Sequence, residues 1–308
     1  MSEMKPGDSN RITREYLDSI LLEMRHFDAV LPDTSFELYG HPFKTPMMTA
    51  ALSHLDKFGF HKDGMVELAK GAFASGACYW SGMGSYEELE RITATGAKTI
   101  KICKPEADNN VVIEKLQHAE KSGCIAVGVD LDHGFDWKGE YDEIENMPMR
   151  PKTLEEVKLF VNATKLPFII KGVLSVIDAL KCVDAGVSGI VVSHHHGIMD
   201  FAVPPLMVLP KIAAAVRGRM KIFVDCSIES GYDAFKALAL GADAVCAGRS
   251  LMPALSKDGA EGIKGTFHYM TQQLASAMSK TGTKTVYDVD PSLVYAPTAW
   301  RPDTKLTK

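Results

Sequence analysis

The run Gly189-Ile190-Val191-Val192-Ser193-His194-His195-His196-Gly197 decides the fold. An apolar stretch with no polar alternation ends abruptly in titratable groups. Such a stretch reads as a strand buried on both faces, with its polar groups at the C-terminal end. The pattern recurs at Lys221-Ile222-Phe223-Val224-Asp225 and at Ala244-Val245-Cys246-Ala247-Gly248-Arg249. Parallel α/β barrels collect their chemistry at that end of the strands.

Further candidate strands occupy 46–50, 77–81, 99–103, 124–130 and 167–171, and the three quoted runs extend over 189–193, 221–225 and 243–247. Amphipathic stretches at 63–75, 85–94, 109–122, 153–164, 175–184, 204–216 and 231–240 lie between them. Ala185-Gly186 and Leu240-Gly241 supply helix stops. Eight strands alternating with helices predict an α/β fold, a (β/α)8 TIM barrel. A doubly wound sheet is the competitor, but no GxGxxG follows the first strand. Residues 1–45 form an N-terminal extension, with a helix over 13–25 and an extended lead-in, and 46–308 form one barrel domain. The polar segment 133–152 follows the fourth strand and is a candidate lid; 253–280 predicts a long helix on the barrel's outside.

Composition excludes several function classes. With 308 residues and a net charge of −5, the chain has no basic stripe for nucleic acid. No apolar run reaches the roughly 18 residues of a membrane span, and the polar start lacks a signal-peptide core. Six cysteines form no CxxC pair, so reduced thiols in a cytoplasmic enzyme are the simplest expectation.

Lys171-Gly172-Val173, Ile190-Val191-Val192-Ser193-His194-His195, the stretch Phe235 to Ala242 and Gly248-Arg249 resemble the FMN-dependent α-hydroxy-acid oxidase and dehydrogenase family, which includes glycolate and lactate oxidases. Met278-Ser279-Lys280-Thr281-Gly282 is similar to its C-terminal helix, and Pro46 to Ala50 matches more loosely. The resemblance implies FMN as cofactor, a small-molecule substrate and a homo-oligomer. It implies His195 as catalytic base, Asp130 as its partner and Lys171 as the contact to the flavin N1/O2 region. Ser193 would touch the ring, Asp225 the ribityl chain, and Gly248 and Arg249 the phosphate. Ala50, Ala51, Ser81, Lys101 and Ser227 complete the implied flavin-binding set.

These residue types suit the chemistry. A histidine oriented by a buried carboxylate takes a proton near neutral pH. A lysine stabilises negative charge on a reduced flavin.

The departures from the family pattern are specific. Its substrate-carboxylate arginine falls on or near Ile198, and isoleucine cannot clamp a carboxylate. Two glycines of the strand-seven motif are Cys226 and Ser227, and its arginine is Glu229. The active-site tyrosine falls on Cys103, a glutamine on Lys101 and a threonine on Gly128. The expectation is therefore an FMN-dependent oxidoreductase whose substrate is not a simple 2-hydroxy acid, with oxygen, a quinone or a protein as electron acceptor.

Two other readings stand beside it. A flavin-free barrel lyase or isomerase would use a His/Asp metal site (His194 and His196 on one side, with Asp130, Asp132 and His133 nearby) or a Schiff base on Lys171. A catalytically inactive binding protein is the third. Lys101 is open between a flavin contact, a substrate-anion contact and an ion pair with Glu229.

Overall fold

A computed structural model of the chain describes residues 7–57, 59–216 and 218–297. Its centre is a sheet of eight parallel strands: β1 (Met47–Thr49), β2 (Tyr79–Ser81), β3 (Thr99–Cys103), β4 (Ala126–Asp130), β5 (Phe168–Val173), β6 (Gly189–Val192), β7 (Lys221–Val224) and β8 (Ala244–Ala247). The order β1-β8-β7-β6-β5-β4-β3-β2 is that of a barrel. Its seam is drawn together where Thr49 N donates to the Cys78 carbonyl at 3.2 Å and Leu52 bridges Ser81. All eight expected strands are present, each within a few residues of its expected bounds. Their unalternating composition has a plain cause: every residue of β3 and β4 is buried. Trp80 and Phe223 pack edge-to-face inside, 5.0 Å apart.

The helices are α1 (Ser9–Ser19), α2 (Gly64–Ser75), α3 (Tyr86–Thr93), α4 (Asn109–Lys121), α5 (Leu154–Asn162), α6 (Val176–Asp184), α7 (Pro205–Val216), α8 (Gly231–Ala239) and α9 (Met252–Lys280). Side chains of Ser85, Thr153, Ser175 and Ser230 accept backbone N–H groups at the starts of α3, α5, α6 and α8. Gly186 and Gly241, with φ of 77° and 108°, end α6 and α8 as their positions imply. α9 packs against α2 and α8 on the barrel's outside, broken once at Gly259.

The N-terminal helix departs from the expected 13–25. Asp8 caps it through the N–H groups of Asn10 and Arg11, and the backbone turns extended at Ile20. The next residues, Leu21–Leu22, pair antiparallel with Val294–Tyr295, so the apolar pattern that reads as more helix is a strand serving a distant partner. α1 lies against the C-terminal face of the barrel. Arg14 reaches the Ser227 carbonyl at 2.9 Å and pairs with Asp233 at 2.8 Å. The segment 133–152 folds over the same face as a small hairpin, Glu143–Ile144 against Met147–Pro148.

Candidate active site

Each polar group at the barrel mouth is delivered by a strand end. β4 ends at Asp130, and a short 3-10 turn, Leu131–Gly134, follows at once and carries Asp132 and His133. β5 delivers Lys171. Gly172 follows at a register shift with φ of 91°, and a Cβ there would lie 2.5 Å from Asp132 Oδ2. A residue with a side chain could not stand there without displacing that carboxylate.

β6 runs through Ser193 into the histidines. The Ser193 hydroxyl accepts the His195 N–H at 3.0 Å. His195 and His196 take φ of 46° and 58°, a left-handed conformation uncommon outside glycine. This turn sends His195 into the mouth. His194 and His196 both reach α1, and His196 also lines the cavity described below. His194 Nε2 lies 2.7 Å from Thr13 Oγ1, and His196 Nδ1 lies 2.6 Å from Asn10 Oδ1. They are tied to the N-terminal helix rather than converging on an ion.

His195 Nδ1 faces Asp132 Oδ1 at 2.7 Å and Asp130 Oδ2 at 3.2 Å. Two carboxylate oxygens favour a proton on Nδ1, and Nε2 lies beside His133 Nε2 at 3.2 Å. Lys171 Nζ is 3.0 Å from the same nitrogen and 3.4 Å from Asp130 Oδ1, with Asp132 and Asp225 each at 3.9 Å. Lys104, just past β3, donates to Asp130 Oδ2 at 2.8 Å. Burial alone would push His195 down and Asp130 up. The opposite charges outweigh it: Asp130 and Asp132 hold the imidazole above its ordinary value, and Lys171, His195 and Lys104 hold the Asp130 carboxyl well below its own. Burial likewise disfavours the Lys171 ammonium, and Asp130, Asp132 and Asp225 more than restore it.

Asp130, Asp132, His133 and His195 place ligand-type atoms within 4.8 Å of one another, a grouping also open to a metal. Two ammonium groups, of Lys104 and Lys171, already sit against Asp130, so the carboxylate charge a dication would need is spent on ion pairs. The same pairing keeps Lys171 protonated, against a Schiff-base role.

A cavity of about 730 Å³ opens here. It is lined by Ala50, Ala51, Lys171, His195, Asp225, Ser227, Gly248 and Arg249, among others. Three expected contacts do not line it. Ser193 is buried beneath His195, Ser81 is buried in the barrel, and Lys101 turns to the neighbouring 400 Å³ cavity, donating to the Gly82 carbonyl. Lys101 makes no pair with Glu229, which corrects one of the expectations for it; it is almost wholly buried, and burial lowers its pKa. Cys226 and Ser227, which stand where the family motif has glycines, are accommodated by conformation. Their φ values of 69° and 59° are those that glycines adopt freely, so the loop keeps a glycine-like path with side chains added.

Lys104, His133 and Asp142 reach the site without having been expected as catalytic or flavin contacts. Asp132 and His133 were named only for the metal alternative, and Asp142 signals itself only as a polar residue of the lid segment.

The family model described as FMN-dependent dehydrogenase matches residues 2–157 and 149–296. The chain belongs to the FMN-dependent dehydrogenase family. Among its relatives, 4-hydroxymandelate oxidase of Amycolatopsis orientalis is 31% identical, over 82% of this chain and 80% of that protein. L-lactate oxidase of Lactobacillus jensenii is also 31% identical, over 84% and 70%. A solved mandelate oxidase with (S)-2-phenylpropionate superposes with a TM-score of 0.85 at 30% identity, covering 95% of this chain and 90% of that one. The family assignment makes the protein an FMN-dependent oxidoreductase on a TIM barrel, resembling α-hydroxy-acid oxidases. The residues fit that cofactor: the cavity lies in the usual volume range for such sites, and it combines a left-handed backbone loop, Gly248-Arg249 at a strand end and a buried lysine. Among the described residues, no helix is long and apolar enough to cross a membrane.

Proposed function

We propose that the protein oxidises a small molecule at a carbon bearing a hydroxyl or amine, and that recognition does not depend on a carboxylate clamp. The observation that carries the reading is His195, which lines the cavity with its Nδ1 held by two carboxylates and its Nε2 beside another lining residue, His133. FMN, when bound, supplies the acceptor for the hydride leaving the substrate carbon. Gly248 and Arg249 would hold its phosphate, Asp225 and Ser227 its sugar-alcohol chain, and Lys171 its electron-rich edge. Ala50 and Ala51 provide an apolar wall. His195 Nε2 takes the substrate's hydroxyl or amine proton, and Asp130 and Asp132 stabilise the imidazolium that forms.

The substrate inference rests on what faces the cavity. Ile198 stands where the family's carboxylate arginine is expected, and it does not line the cavity. Lys104 lines it but is committed to Asp130, and Lys171 is taken by the flavin. A substrate carboxylate would meet Asp130, Asp132 and Asp225 with their cations already engaged. We further propose a cytoplasmic homo-oligomer. The free cysteines support the first part, and the exposed apolar Phe27 and Leu31 support the second.

The test is anaerobic bleaching of the flavin bands by matched 2-hydroxy acids, amides and esters. Faster bleaching by amides or esters than by the acids is expected. The reverse order would overturn the substrate reading, and bleaching that persists unchanged in His195→Ala would overturn the assignment of the base.

A further inference from the structure

A second cavity, of about 400 Å³, adjoins the one assigned to the flavin. β3 contributes Lys101, Ile102 and Cys103 to its lining, the turn into α3 contributes Gly82 to Ser85, and the lid hairpin contributes Glu145 and Met147. His54, Gly82, Met83, Ile102 and Lys104 line both cavities, so one elongated molecule can occupy the two together. Four lysines face the smaller chamber: Lys57, Lys101, Lys104 and Lys115.

Three of these ammonium groups are answered by carboxylates. Lys57 pairs with Glu145 at 2.7 Å, Lys104 with Asp130 at 2.8 Å, and Lys115 with Glu106. Lys101 is not answered. Its nitrogen donates to the Gly82 carbonyl and, at 3.5 Å, to the Ser81 hydroxyl, and both are neutral. Among the described residues no carboxylate comes within ion-pair distance of it. Lys101 is only 6% exposed, so bulk water does not take the place of a counter-ion. An ammonium carries three N–H donors, and burying one without an anion is costly. Burial accordingly lowers the Lys101 pKa. Glu88 acts on it only through space, and burial together with Asp56 raises the Glu88 pKa, which makes that group a poor anion. Cys103 stands where the family pattern has a tyrosine, and Lys101 where it has a glutamine. Room and unanswered positive charge thus occur in the same chamber.

We propose that this chamber binds the anionic far end of an elongated substrate, with Lys101 as its counter-ion. The inference deepens the proposed oxidation and rests on that reading for the reacting end. The anion is a carboxylate or a phosphate at the end of a chain that passes Met83 and Ile102, which line both cavities. Met83 is half-buried, and its backbone N–H is held by the Ser53 hydroxyl at 2.7 Å, so the threshold between the cavities has a fixed backbone and a flexible side chain. A tail held at Lys101 positions the molecule without a clamp beside the reacting carbon, where Ile198 offers none. The same anion would offset the burial that lowers the Lys101 pKa. Lys101 therefore determines specificity and takes no part in the chemistry at His195.

Two measurements test the proposal. The first is calorimetric titration of the FMN-loaded protein with unreactive probes. These are glutaramate and its longer ω-amide homologues, the matching methyl-ended amides, and the matching phosphono-ended amides. At the best chain length an anion-ended probe is expected to bind about tenfold or more tightly than its methyl-ended match, as a hydrogen bond to a charged group implies. Whether the carboxylate or the phosphono probe binds more tightly identifies the anion, and either result supports the chamber. Lys101→Gln keeps a polar group for the Gly82 carbonyl and is expected to lose the preference; Lys101→Met should lose it too and guards against a folding defect in one variant. The preference is read as a ratio within each variant, so altered FMN loading does not imitate the result. Equal affinity of anion-ended and methyl-ended probes at every length overturns the proposal, and so does a preference that survives intact in Lys101→Gln. The second measurement is anaerobic flavin bleaching by 2-hydroxy amides carrying the same tails, where the anionic tail should lower the half-saturating concentration. If methyl-ended 2-hydroxy amides bleach the flavin and an anionic tail brings no advantage in either measurement, the chamber fails and the oxidation stands. If the unreactive probes show the preference and its loss in Lys101→Gln while no hydroxy or amino compound bleaches the flavin, the oxidation fails and the chamber stands.

Discussion

Asp132 Oδ1 stands 2.7 Å from His195 Nδ1, nearer than Asp130 Oδ2 at 3.2 Å, yet Asp130 is the more deeply buried carboxylate, with its side chain 4% exposed against 12%. Proximity and burial thus divide two tasks between them. The nearer oxygen orients the ring, and the drier charge, less screened by water, does more to raise its pKa. Asp130→Asn is expected to lower the His195 pKa more than Asp132→Asn does, as read by NMR titration. Both should reduce turnover, within the range of about 10² to 10⁴ that a positioned base contributes. An Asp132→Asn effect on the pKa exceeding that of Asp130→Asn would refute the division.

The Lys104–Asp130 pair gives a stability prediction with a definite pH sign. The Asp130 carboxyl sits below its ordinary value in the folded state. Its contribution is therefore present above the unfolded value of about 3.9 and is lost as pH falls through the folded one. Lys104→Met removes one cation but leaves Lys171 at 3.4 Å. A loss of about 1–3 kcal/mol at neutral pH is expected, below that of an abandoned buried charge. The acid unfolding midpoint should move to higher pH, and denaturant melts across pH 2–7 would show it.

Arg249→Lys tests the phosphate role. A guanidinium offers a planar fork and an ammonium does not. FMN affinity should fall about tenfold with lysine and further with alanine, since a hydrogen bond to a charged group contributes about 1.5–3 kcal/mol. Fluorescence quenching of free FMN measures it. Because Arg249 also donates to Asn10 at 3.0 Å, Asn10→Ala measures how much of the loss comes through that contact and should cost less than Arg249→Ala.

Cys226 holds φ of 69° with a side chain that donates to Asp225 Oδ1 at 3.0 Å. Cys226→Gly relieves about 1–2 kcal/mol of left-handed strain but loses that contact and gains unfolded-state entropy, so its thermal midpoint should change little. Cys226→Val cannot take this conformation cheaply and should destabilise the fold and weaken FMN. A valine variant as stable as the glycine variant would contradict the left-handed assignment.

The barrel was legible because its strands are buried on both faces and lose polar alternation, while Ser, Thr and Gly mark helix ends. His195 was legible as one of the polar groups ending an apolar run, and its role, with Asp130 and Lys171, only through the resemblance to the family. What escaped depends on contacts distant in sequence. Leu21–Leu22 reads as helix until its partner Val294–Tyr295 is known. His133 meets His195 only because the turn after β4 folds back over the mouth, a course that periodicity does not encode. The role of α1 in holding His194 and His196 was invisible for the same reason.

That role supplies the last prediction. His194 is buried, its Nε2 against Thr13 Oγ1 at 2.7 Å and its Nδ1 accepting the Gly197 N–H at 2.8 Å. With Nδ1 an acceptor, Nε2 carries the proton and donates to the threonine hydroxyl. Thr13→Val keeps the shape and removes that acceptor, leaving a buried N–H unpaired. About 1–3 kcal/mol should be lost, a large effect for exchanging one hydroxyl for a methyl. Because α1 also braces the Ser227 carbonyl through Arg14, the loosened helix should free the loop that carries Cys226 and Ser227. FMN affinity is then expected to fall although Thr13 does not line the cofactor cavity. Stability lost with affinity unchanged would show that α1 holds His194 alone. An unchanged melting curve would show that the hydroxyl is not the partner of the ring.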